Sequence, residues 1–112
     1  MSTETINPTT GTFITLSQAE VMVSDWISLQ GSMSLSITDA NPKAMAYGKD
    51  KIQDILDQQG CVGIRIYNGL AQSKRVMVLV GIDSNGDDMT SGNILETGFP
   101  CPAYCAPNTS IG

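Results

Sequence analysis

Apolar residues recur every second position in two stretches near the middle of the chain. Val62, Ile64 and Ile66 alternate with Cys61, Gly63, Arg65 and Tyr67; Val76, Val78, Val80 and Ile82 alternate with Met77, Leu79 and Gly81. Side chains alternate between the two faces of a strand, so this pattern predicts strands over 61–68 and 74–83. The short connection Leu70–Ser73 makes them an antiparallel hairpin. The Val/Ile side is the expected core face. The other side mixes Arg65, Tyr67, Met77 and Leu79 with two glycines. It is neither clean core nor clean surface, and is expected to meet the tail, another subunit or a ligand.

Before the hairpin the period changes to that of a helix. Ala19, Met22, Val23, Trp26, Ile27 and Leu29 lie on one stripe. Ser17 and Glu20 have capping-box spacing, Leu16 and Val21 have staple spacing, and Gly31 is the expected stop. Trp26 is expected to anchor the core. Met33, Leu35 and Ile37 then alternate with serines, predicting a half-buried strand over 32–37. A loop over Thr38–Pro42 and a short extended piece over Ala44–Tyr47 follow. Ile52, Ile55 and Leu56 predict a second amphipathic helix over 49–58, ended by Gly60. Asn85-Gly86 marks a turn after the second strand, and Ile94-Leu95 a short strand or cap. The fold class is α+β: a small antiparallel sheet with two amphipathic helices packed on one face. Residues 1–12 are expected to be a flexible arm and 13–98 a single domain. Residues 99–112, with their prolines and cysteines, are expected to form an irregular tail laid across the sheet.

Composition narrows the function classes. The chain has 112 residues, 6 basic and 11 acidic, for a net charge of −5. Neutralising phosphate needs clustered cations, so nucleic acid and anionic membrane surfaces are excluded as expected partners. No apolar stretch approaches a membrane span. The opening MSTETINPTTGT lacks a charged segment followed by an apolar one. A cytoplasmic location is therefore expected, with signal-free export or assembly into a particle compatible with it. Histidine is absent, which removes His-based triads, Cys-His dyads and most zinc sites. No phosphate loop, dinucleotide fingerprint or nucleophile elbow occurs, and no catalytic residue is assigned.

The remaining candidates lie on or near the hairpin. Asp83, Asn85 and Asp87 match the oxygen spacing that begins a calcium loop, but Asp88 stands where that loop needs glycine. Ile94 stands where it needs glutamate. An EF-hand is excluded. The turn is expected to carry solvated acids, with an irregular calcium site at Asp83, Asn85, Asp87 and Asp88 as the alternative; no other cofactor is expected. Arg65, a cation inside an apolar strand, must be paired or reach solvent. The expected partner is Asp83 or Asp88; the functional alternative is an anionic ligand held by Arg65 and Tyr67. Cys101 and Cys105 are spaced for a local disulfide that would pin the tail, while in a reducing compartment they would be thiols. Cys61, opening a strand, is expected to be a small core residue.

The blocks GCVGIRIYNG, VLVGIDSNGDDM and CPAYC, taken in this order, resemble a family of small uncharacterised bacterial proteins. The resemblance covers about Ala44 to Cys105. It implies that the hairpin, acidic turn and cysteine tail form one unit, and it carries over no site. The expectation is a non-enzymatic structural or interaction protein. It self-associates or docks a protein partner through its sheet face, strand edges and flexible ends. The alternative is a small binding module for an anion or calcium.

Overall fold

The computed structural model describes residues 5–112. Its elements, in chain order, are α1 (Leu16–Ser32), β1 (Ala44–Ala46), α2 (Lys49–Leu56), β2 (Cys61–Ala71), β3 (Lys74–Asp83), β4 (Ile94–Leu95) and β5 (Phe99–Cys101). Helix and antiparallel sheet are mixed, as an α+β chain requires. Contacts gather the chain into two compact units. One holds the segment up to Gly11, Tyr47–Gly69 and Val76–Gly98; the other holds Thr12–Ala46, Leu70–Arg75 and Phe99–Gly112. Among the described residues, no helix is long and apolar enough to cross a membrane.

The first unit is built on the sheet β2-β3-β4. Its core is the second half of β3, where Leu79, Val80 and Ile82 are all nearly inaccessible. Neighbouring strand residues point to opposite faces, so this part of β3 is buried on both sides. The expectation of one Val/Ile core face is corrected there, because Leu79 and Gly81 are as buried as Val80 and Ile82. On β2, Val62 and Ile64 are half-buried and Ile66 is exposed. Helix α2 starts at Gly48 without a side-chain cap, but Asp50 in its first turn complements the positive end of the helix dipole. It packs against β4 and contributes Ile55, the most deeply buried of these apolar side chains at 1 % exposure. The Tyr47 hydroxyl donates to the Met77 carbonyl at 2.6 Å.

The connection between β2 and β3 is shorter than the sequence suggests. Only Gln72 and Ser73 lie outside the strands, and both have positive φ, 52° and 64°. Two consecutive left-handed residues are what a two-residue type I′ hairpin demands. The pair is hidden from pattern reading because neither residue is Gly or Asn.

The second unit contains α1 and the antiparallel pair β1-β5, in register Ala44↔Cys101, Met45↔Pro100 and Ala46↔Phe99. The expected irregular tail therefore begins as a strand, paired in a two-stranded sheet of its own. The start of α1 is also corrected. Thr15, not Ser17, is the N-cap: its side chain accepts from the Gln18 backbone, and the Gln18 side chain accepts from the Thr15 backbone. The segment TLSQAE holds two overlapping copies of the capping-box spacing, and the earlier one gives a longer helix.

At the other end the helix runs through Gly31. Ser34 takes the left-handed conformation at φ 59°. Its N–H donates to the Gly31 carbonyl at 3.0 Å, and the Leu35 N–H donates to the Gln30 carbonyl at 2.9 Å. That is a Schellman ending. It uses the serines expected to begin a strand, and no strand forms over 32–37.

Residues 1–4 of the expected N-terminal arm lie outside the described residues. Within the rest, Asn7 closes a turn by accepting the Thr10 N–H on its backbone carbonyl and the Thr9 N–H on its side chain, at 3.0 and 2.9 Å.

Candidate functional site

The sequence candidates of the first unit meet at the base of the hairpin. Arg65 on β2 donates from Nη1 to Asp88 Oδ1 at 2.5 Å and to the Gly86 carbonyl at 3.1 Å. Tyr67, two residues along on the same face, donates its hydroxyl to Asp88 Oδ2 at 2.5 Å. Asp88 is brought there because Ile82 and Asp88 form an isolated antiparallel bridge after the turn. The Arg65 and Asp88 side chains are 31 % and 22 % exposed, so the cluster is a partly solvated rim. Hydrogen bonds from Tyr67 and then Arg65 hold the Asp88 carboxyl below its ordinary range. The same bond to Asp88 raises the Tyr67 phenol and the Arg65 guanidinium. Arg65 Nη1 and the Tyr67 hydroxyl thus both meet acceptors within the chain, and the arrangement is that of a structural ion pair.

The acidic turn is organised by Asp83. Its Oδ1 accepts the backbone N–H groups of Asn85 and Asp87 at 2.9 and 3.0 Å, an Asx-turn that commits this oxygen to the backbone. Asn85 and Asp87 are exposed. Asp88 is engaged by Arg65 and Tyr67. Among the described residues, no three of the acids and cysteines stand close enough to hold one metal ion together.

Cys101 and Cys105 form a disulfide with their Cα atoms 4.6 Å apart. Phe99 and Tyr104 stack beside it with ring centroids 4.6 Å apart, and the Tyr104 N–H donates to the Pro100 carbonyl at 2.8 Å. Cys61 is a half-buried free thiol in the first unit, 3.2 Å from the Gly63 carbonyl. The acidic turn and the cysteine tail fall in different units, where the family resemblance implied one.

Several features escape sequence reading. In the second unit, the cystine and its stacked rings border a groove of about 370 Å³ floored by β1 and β5. The small side chains Ala44 and Ala46 open it. A second groove, about 480 Å³, runs between residues 6–10 and Val62–Ile66 of β2. Arg75 lies over the Trp26 ring at 5.6 Å, donates its N–H to the Ala40 carbonyl at 2.8 Å and its guanidinium to the Pro42 carbonyl. Trp26 is half-buried rather than a core anchor.

The broadest departure is the surface of the second unit. Leu16, Val21, Met22 and Leu29 of α1 are each more than half exposed, Met33 is 51 % exposed, and Phe13 just before the helix is fully so. The buried residues of this unit are Gln30, Pro42 and Cys101, none of them a large apolar side chain. Gln30 is satisfied by the Asn41 amide at 3.0 Å. The helical stripe was legible in the sequence; that Met22, Leu29 and Met33 would face outward was not.

Compared with models of known protein families, with curated proteins and with solved structures, the chain matches none.

Proposed function

We propose that this is a non-enzymatic structural or interaction protein that self-associates. The observation that supports this reading is the apolar surface of α1 and its flanks. Soluble monomers rarely present a contiguous apolar patch of several hundred Å². Here Met22, Leu29 and Met33 fall at spacings that place them on one side of a helix, all at least half exposed. A second feature agrees. β2 is an edge strand of its sheet and runs for 11 residues, with Ile66, Tyr67 and Leu70 exposed. Long edges of this kind invite pairing with another chain. The alternative of an anion held by Arg65 and Tyr67 has less support, because Asp88 already engages both.

The native mass of protein purified without reductant or chelator tests the reading. A defined oligomer or polymer of unmodified chains is expected. A monomer carrying the extra mass of an ion or small molecule would overturn it and turn attention to the acidic turn.

A further inference from the structure

We propose that the groove over β1 and β5 binds a small aromatic carboxylate, with its charge held by Lys43 and its ring laid against Phe99 and Tyr104. The inference is independent of self-association and applies to a monomer and an oligomer alike.

The register of the strand pair lays out the groove. Directly opposed residues of antiparallel strands project from the same face, so Ala44 shares a face with Cys101, and Ala46 with Phe99. Residues two apart on one strand share a face as well, so these four side chains form one floor, and all four line the groove. The two methyl groups on β1 leave room that larger side chains would fill. At about 370 Å³, the groove lies at the small end of the roughly 300–1,000 Å³ typical of small-molecule sites.

The two ends of this floor differ in chemistry. At one end, just ahead of Ala44, the half-buried Lys43 is fixed by its backbone N–H, which donates to the Cys101 carbonyl at 2.8 Å. Among the described residues lining the groove, Lys43 is the charged one. The ion pairs among the described residues, Arg65–Asp88 and Lys74–Asp39, do not use it. Its ammonium donates to the Gly112 carbonyl. An ammonium has three donors, so a carboxylate at this end accepts from one of the other two in a charge-assisted bond.

At the other end, beside Ala46, Phe99 stacks on Tyr104 with ring centroids 4.6 Å and planes 30° apart. Both residues are more than half exposed, at 58 % and 61 %. Tyr104 is tied down by the neighbouring disulfide and by its N–H bond to the Pro100 carbonyl. This apolar surface is therefore preorganised, and a ligand covers it without first ordering loose side chains. An aromatic ring suits it, since rings meet in offset-stacked or edge-to-face geometry. Lys43 and Ala46 are three residues of extended chain apart, roughly 10 Å. A phenyl ring joined to a carboxylate by a short alkyl link matches that span and places each group at its own end.

The test titrates the full chain, without reductant, with hydrocinnamate (a phenyl ring on a two-carbon carboxylate) and with the corresponding alcohol. Backbone amide shifts of isotope-labelled protein are the readout. Hydrocinnamate should give saturable shifts centred on Lys43–Ala46 and on residues 99–105. The alcohol, which keeps the ring and loses the charge, should bind roughly tenfold more weakly or worse. Lys43→Gln should weaken hydrocinnamate binding to a similar degree, and Ala46→Leu should abolish it by filling the floor. Thermal melts check that both variants fold; if either does not, the comparison of acid with alcohol on the unaltered chain decides alone. Shifts that never saturate, shifts centred on Arg65 and Tyr67, or equal affinity for acid and alcohol would each overturn the proposal. The oligomeric mass of the same sample is read separately and bears only on self-association.

Discussion

Asp88 accepts a hydrogen bond on each carboxylate oxygen, one from Arg65 and one from Tyr67, and this couples the hairpin base to pH at both ends of the scale. Its folded-state pKa is depressed. Its contribution is therefore present above the unfolded carboxylate value, about 3.9, and is lost as pH falls through the folded value. Tyr67 is raised by its bond to Asp88 and Tyr47 by burial. Their contributions are present below the unfolded phenol value, about 10, and are lost as pH rises through the folded values. Tyr67→Phe should flatten the acid limb of a stability–pH profile by letting Asp88 titrate closer to its ordinary range. It should also remove Tyr67's share of the alkaline limb. Urea midpoints between pH 2.5 and 11 check this, and an unchanged acid limb would sink the assignment. Gly92 supplies a second residue-scale test. A Cβ there would lie 1.9 Å from Gln58 Oε1. Gln58 cannot swing away freely, since it donates to the Ile55 carbonyl at 2.9 Å and accepts from the Asn93 N–H at 2.7 Å. Gly92→Ala should cost about 1–3 kcal/mol, and should cost much less in a Gln58→Ala background, read as a double-mutant cycle. Arg65 and its partner were legible in the sequence because a cation in an apolar strand demands a carboxylate. Gln58 and Gly92 were not, because a polar residue after a helix and a glycine in a loop are unremarkable until folding sets them together.

The ends of α1 were legible in kind and wrong in register. Capping-box spacing occurs twice in TLSQAE, and pattern alone does not choose between Thr15 and Ser17. The structure makes the choice testable. Thr15→Ala should destabilise by about 1 kcal/mol, whereas Ser17→Ala should stay within about 0.5 kcal/mol of the unaltered chain; the reverse order would restore the later start. Ser34 holds the left-handed position that ends the helix, which costs a non-glycine residue about 1–2 kcal/mol. Ser34→Gly should recover part of that, raising stability by about 0.5–1 kcal/mol in the same denaturant series. A strand over 32–37 would instead be weakened by glycine. Here alternation misled because serine is compatible with a helix end as well as a strand, and local hydrogen bonding decided the matter. The hairpin was read correctly because period-two β-branched runs have few competing uses. Its turn was misjudged because Gln72 and Ser73 carry no glycine signature.

At the scale of the molecule, the question is which medium the outward side of α1 is built for. A sequence stripe reports that side chains are apolar, not what they touch, so spacing alone does not say whether Met22 and Leu29 face the core or the outside. In the single chain both are 52–58 % exposed. A polar replacement therefore removes little buried area, and hydrophobic stabilisation follows area removed from water. Met22→Ser combined with Leu29→Gln should leave the unfolding free energy of the dilute, dissociated chain within about 1 kcal/mol of the unaltered protein. The same pair should weaken association, because that surface would then have to be desolvated with its polar groups unpaired. Sedimentation equilibrium across a concentration series, paired with urea unfolding at the lowest concentration, separates the two quantities. Weaker association with preserved stability would place these residues in the contact between copies. Loss of several kcal/mol in the dilute chain would mean that Met22 and Leu29 are core residues in solution, and the surface on which the assembly reading rests would not exist.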